Sequence, residues 1–116
     1  MPIVDTWGSG PLATVLADLT GQIQGIERYN GSSWQTMEPT VNVGTTIGLR
    51  CEGLNTSTVN VQASLVIAFH DPMGSVVGQA TTKSASLSPG AKFSHERKIT
   101  ASISGQYTAY ISLVFT

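Results

Sequence analysis

The sequence predicts an all-β protein, an antiparallel β-sandwich of 116 residues with an N-terminal extension. Three observations carry this. Val59, Val61, Ala63, Leu65, Ile67 and Phe69 alternate with Asn60, Gln62, Ser64, Val66, Ala68 and His70, a period of two over one long strand. Further alternating segments follow at regular spacing, separated by turns rich in Gly and Pro. Charged residues make up only 11% of the chain, against a usual ~25%. Ser, Thr, Gly and Asn supply the polar surface instead, which suits sheets and also suits packing against other protein.

Residues 1–20 read as an N-terminal arm and residues 21–116 as a single sandwich domain. In the arm, Pro2, Gly8 and Gly10 oppose regular structure, while Ile3, Val4 and Trp7 are apolar enough to dock on a surface. Leu12, Val15, Leu16 and Leu19 fall at i, i+3, i+4 and i+7, and Pro11 suits a first helical position. This spacing predicts a short helix over residues 11–19. Thr14 and Val15 are β-formers, so strand or coil is the alternative there.

Residues 22–37 read as a hairpin. Ile23-Gln24 and Ile26-Glu27 alternate around a bulge at Gly25, Asn30-Gly31 turns the chain, and Trp34 returns over a core edge. The next strand spans residues 41–52, with Ile47, Leu49 and Cys51 facing one way and Gly48, Arg50 and Glu52 the other. Residues 59–79 are expected to form the central hairpin: the long strand, a reverse turn at Asp71-Pro72-Met73-Gly74, and a return over 75–79. Residues 81–88 hold a short edge strand, and Ser88-Pro89-Gly90 turns the chain. In residues 91–99, His95 and Arg97 share a face with Phe93 and Ile99, so that strand is expected to be half exposed. Ser104-Gly105 leads into the last strand, residues 106–115, with Tyr107, Ala109, Ile111, Leu113 and Phe115 on its core face.

Chemistry is sparse. A net charge of −1 with scattered basic residues argues against nucleic acid as a partner. No run approaches the ~20 apolar residues of a membrane-spanning helix, so no membrane partner is expected. No basic, apolar leader opens the sequence, which places the chain in the cytoplasm or in a virion or other assembly built there. His70 and His95 lack the converging ligands that a metal requires, and no cofactor motif occurs. Cys51 shares the apolar face of Ile47 and Leu49, which predicts a reduced, inaccessible thiol rather than a nucleophile. Asn30-Gly31-Ser32 and Asn55-Thr56-Ser57 match the glycosylation pattern and are read as turns. The carboxylates are few and unpaired in sequence. An enzyme is not expected.

From residue 41 onward the order of signals resembles bacterial and viral immunoglobulin-like, or fibronectin type III-like, sandwich modules. The pieces are Val43-Gly44-Thr45-Thr46-Ile47, Asn55, the long strand ending in Asp71-Pro72-Met73-Gly74, Leu87-Ser88-Pro89-Gly90, and Ser104-Gly105-Gln106-Tyr107. The resemblance implies that Tyr107 packs at a corner of the sandwich and that one more strand pairs with residues 106–115. Two features depart from it: Cys51 has no cysteine partner, and Trp34 lies on the N-terminal hairpin rather than on a central strand.

These features point to a non-catalytic structural or protein-interaction module, in a virion or surface assembly, which self-associates or docks on a protein partner. The alternative is a carbohydrate-binding module. Trp7, Tyr29, Trp34 and Tyr110 are the candidate ligand or interface residues, since exposed aromatics serve either purpose. The last strand carries no charge between Gln106 and Thr116, so a cover for its edge is expected. The hairpin of residues 22–37 is expected to provide that cover, leaving the arm for a partner.

Overall fold

The computed structural model describes residues 2, 4, 5, 8, 10–13 and 18–116. The strands are β1 (Gly21–Tyr29), β2 (Trp34–Gln35), β3 (Thr46–Asn55), β4 (Val61–His70), β5 (Thr81–Leu87), β6 (Lys92–Thr100) and β7 (Thr108–Phe115). They form two antiparallel sheets, one ordered β2-β1-β3-β6 and the other β5-β4-β7. The protein is thus all-β, with its two sheets packed face to face.

The core follows from alternation. Leu49 and Cys51 on β3 meet Leu65, Ile67 and Phe69 on β4, and all five are buried. Val61, Ala63 and Leu87 form a second buried cluster towards the other end, against Phe93, Leu113 and Phe115. Gly53 sits between the sheets where a Cβ would lie 2.8 Å from both Leu65 and Leu113. Its missing side chain is what lets β4 and β7 fill that layer.

Local chemistry sets the turns. Asn30 Oδ1 accepts from the Ser32 and Ser33 amides at 2.9 and 2.8 Å, closing the β1–β2 hairpin. Gly25, at φ 61°, marks the bulge where the β1–β3 register shifts between Gln24 and Glu27. Asp71 Oδ1 accepts from Met73 and Ser75, fixing the reverse turn after β4.

Three expectations need correction. No helix is seen over residues 11–19: Pro11, Leu12, Ala13, Asp18 and Leu19 carry no regular structure, and residues 14–17 lie outside the described residues. Leu12 is 94% exposed and Leu19 47% exposed, so neither contributes the packing that a helix this short needs. The hairpin over residues 59–79 is reduced to its long arm. The return makes one bridge, His70 to Val76, and the Val77 amide donates to the Phe69 carbonyl at 2.9 Å; the ladder then breaks around Gly78, at φ 65°, and regular pairing resumes only at Thr81. The regular antiparallel partner of β4 on that side is β5, residues 81–87 rather than 75–79, and β7 pairs with its other side. Lastly, the β1–β2 hairpin lies in the sheet opposite β7 and does not cover its edge. Smaller shifts occur at the bounds: β3 starts at Thr46 rather than at residue 41, and runs on to Asn55.

Candidate functional site

The two flanks of the sandwich differ. The flank between β5 and β6 is closed by polar side chains. His95 Nε2 lies 3.0 Å from Thr81 Oγ1 and 3.2 Å from the Thr81 carbonyl. Arg97 donates to the Val77 carbonyl and lies 5.0 Å over the Phe69 ring. These two residues, on a face that sequence alone marks as half exposed, tie one sheet to the other.

The flank between β1 and β7 is open. β7 pairs with β4 on one side, and among the described residues nothing pairs with its other side. The register identifies the unpaired groups. Thr116 and Gln62 exchange backbone hydrogen bonds of 2.9 and 3.0 Å, so alternate residues Val114, Ser112, Tyr110 and Thr108 also face β4. The N–H and C=O groups of Ala109, Ile111, Leu113 and Phe115 therefore point outward along the free edge. The side chains of Ile111, Leu113 and Phe115 point inward, half-buried against the core.

Beside this edge an apolar groove of about 770 Å³ opens between the sheets. Ile26 of β1, Ile47 and Leu49 of β3, and Ala109 and Ile111 of β7 line it, under the loops that carry Val43 and Ile103. Val43 is 59% exposed at its mouth. The loops are braced: Gly44 donates to the Ala101 carbonyl at 2.7 Å, and Gln106 to Glu38 at 3.1 Å. The hydroxyl of Tyr107 accepts from the Ile103 amide at 3.2 Å.

Charge separates this edge from those of β5 and β6, and length separates it from the two-residue, uncharged edge of β2. β5 carries Lys83, and β6 carries Lys92, His95, Glu96, Arg97 and Lys98. Such residues discourage edge-to-edge pairing. β7 carries no charged residue.

The aromatic candidates do not form one platform. Tyr29 and Trp34 do meet, with centroids 5.2 Å apart. Lys98 lies 4.0 Å over Tyr29 and Arg50 lies 4.5 Å over Trp34, so cations already occupy these rings. Gly48 makes this cover feasible: it pairs with Tyr29 on one side and Lys98 on the other, and a Cβ there would meet Lys98 Cγ at 2.9 Å. Arg50 is held in place by Glu27 at 2.9 Å. Tyr110 is 54% exposed on the other sheet, with its ring 4.8 Å from His70. Trp7 lies outside the described residues.

Sequence reading missed a polar anchor at the opposite end of the sandwich. Thr20 donates its N–H to Ser57 Oγ at 2.8 Å, and its carbonyl accepts from Ser57 Oγ and from the Thr56 amide, each at 3.0 Å. Thr56 Oγ1 donates to Thr20 Oγ1 at 2.9 Å. Asn55 beneath it is fully buried, donating to the Val59 and Leu87 carbonyls and accepting from the Ser57 amide. The only signal in the sequence was the run Asn55-Thr56-Ser57. With its amide nitrogen engaged inside the fold, Asn55 is a structural residue and not a glycan acceptor.

Cys51 is 1% exposed, and burial, with a smaller contribution from neighbouring Glu52, pushes its thiol from 9.0 up to about 11. A thiol in that state is a poor nucleophile. No three His, Cys, Asp or Glu side chains converge among the described residues. No protein-family model matches the chain, and no curated protein matches it either.

Proposed function

We propose that this chain is a non-catalytic structural or protein-interaction module, an immunoglobulin-like sandwich that works inside a larger assembly such as a virion or a surface array. One observation carries the reading: a charge-free edge strand, β7, lies beside an apolar groove. Unpaired strand edges recruit strands, and extended segments that add to them gain backbone hydrogen bonds together with side-chain pockets. The immunoglobulin-like assignment is supported by the sheet order and by Tyr107, whose hydroxyl reaches back to the Ile103 backbone just before β7.

Size-exclusion chromatography with light scattering, over a range of concentrations, tests the reading. Association that weakens when the β7 edge is blocked supports it. A stable monomer retained on a polysaccharide column replaces it with the carbohydrate reading, for which Tyr110 beside His70 is the remaining exposed aromatic.

A further inference from the structure

We infer that the partner of the β7 edge is residues 12–19 of a second copy of this chain, added as an extra strand in head-to-tail assembly. The inference rests on the reading of β7 as an interaction edge and names what occupies it.

The first argument is the exit of the arm. Gly21 pairs with Asn55, and Thr20 bonds to Thr56 and Ser57, which continues the β1–β3 ladder one step further. The arm therefore enters β1 along the strand axis, from beyond the end of the sandwich. At that end Gly21 abuts the Phe115 ring. To lie on its own β7, the arm would have to reverse at Leu19 and Thr20, where both backbone groups of Thr20 are held by Thr56 and Ser57. Its described residues are instead exposed and outside any strand, with Val4 at 93% and Leu12 at 94%.

The second argument is the match of pattern and length. The free edge presents the backbone groups of Ala109, Ile111, Leu113 and Phe115, whose side chains alternate inward. A strand laid on it needs an apolar residue at every second position over the same span. Ala13, Val15, Ala17 and Leu19 meet this requirement, one for each edge residue. Shifting the strand by one residue would turn Asp18 into the core, so the register is specified.

The third argument is charge. Residues 106–116 have none, and within residues 12–19 the single charge is Asp18, which the register set by Ala13, Val15, Ala17 and Leu19 turns away from the core, so no charge need be stripped of water inside the new layer. Because arm and edge are different surfaces, the contact is heterologous, and it closes into a ring or extends into a filament.

The test uses full-length chains. Val15→Asp spoils the arm, since it turns a carboxylate inward. Ala109→Pro spoils the edge, since it removes an outward N–H and leaves the β4 ladder intact. Val114→Lys is a second edge variant that places a charge on the exposed face of β7, and far-UV circular dichroism checks each fold. Wild type is expected to form assemblies larger than a dimer as concentration rises. Each variant alone is expected to associate at least about tenfold more weakly. An equimolar mixture of Val15→Asp and Ala109→Pro is expected to give a heterodimer and nothing larger, because one intact arm and one intact edge remain. Monomeric wild type overturns the inference. If Val15→Asp associates like wild type while both edge variants do not, the arm inference fails and the interaction reading of β7 survives. If all variants associate like wild type, both fail.

Discussion

Replacing Asn55 should be among the most damaging single changes in the protein. Its side chain is fully buried and makes three hydrogen bonds: to the Val59 carbonyl at 2.9 Å, the Leu87 carbonyl at 3.1 Å, and from the Ser57 amide at 2.9 Å. Asn55→Ala strands these backbone groups, and each buried group left unpaired costs ~1–3 kcal/mol. Because the Val59 contact is only partly buried, the total should be about 3–5 kcal/mol, a large share of the ~5–15 kcal/mol that holds a domain together. Asn55→Asp should be worse still at neutral pH. It keeps the acceptor for Ser57 but turns a carboxylate oxygen towards two carbonyls. Burial and those carbonyls raise the folded-state pKa of this carboxyl, so the stability of the Asp variant is present at low pH and falls as pH rises past the unfolded value of ~3.9. Urea unfolding at pH 4 and pH 7 measures both effects. An Asp variant as stable as the Ala variant at pH 7, or an Ala variant within about 1 kcal/mol of wild type, would refute this account of the anchor.

Ile67, wholly inaccessible between the sheets, should cost about 2–5 kcal/mol on truncation to Ala, read from the unfolding midpoint. Cys51 should resist thiol reagents in the native state. Its thiol is pushed from 9.0 to about 11, so the unfolded chain deprotonates first and wild type should lose stability between pH 9 and 11 relative to Cys51→Ala, by about 1.4 kcal/mol per pH unit. Arg97→Met should lose the bond to Val77, costing about 1–2 kcal/mol, and should speed hydrogen exchange over residues 75–80 before the core opens.

The strands were legible because alternation is a local signal. The inward set Leu65, Ile67 and Phe69 follows from counting by twos, and so does the burial of Cys51 beside Leu49. The bulge at Gly25 and the turn at Asp71 were legible for the same reason, since each is settled by one residue's own conformational freedom or hydrogen-bonding reach. Pairing was less legible. Residues 75–79 hold apolar side chains that suit a return strand, yet they make only the start of a ladder with β4, the Val77 carbonyl goes to Arg97 twenty residues away, and regular pairing waits until Thr81. The N-terminal hairpin could have been assigned to either sheet, because its alternating face says that it packs but not on what. The aromatic cluster shows the same limit: sequence leaves Tyr29 and Trp34 either as caps on the core or as exposed ligand faces, and only the β1–β3–β6 register shows that Arg50 and Lys98 lie over them.

The open flank links association to stability. Ile111, Leu113 and Phe115 pack against the core yet stay only half-buried, and among the described residues no strand pairs with the outer side of β7 to finish the layer. Fully burying one such side chain is worth ~1.5–3 kcal/mol relative to leaving it exposed, and the uncovered part of several of them is available at this edge. An added strand would recover that part and satisfy the outward backbone groups of β7. The free energy of association would then come from completing the fold rather than from a separate docking patch. A partner that binds only the folded chain raises its apparent stability with concentration. The closed flank already shows the alternative solution: His95 and Arg97 seal the β5–β6 side from within the chain, using side chains that bridge the sheets. On the β1–β7 side Gly21 of β1 abuts Phe115 and Leu113 and has no side chain with which to form such a bridge. Closure of this side calls for backbone from a strand, and the apolar, uncharged edge of β7 is suited to receive it.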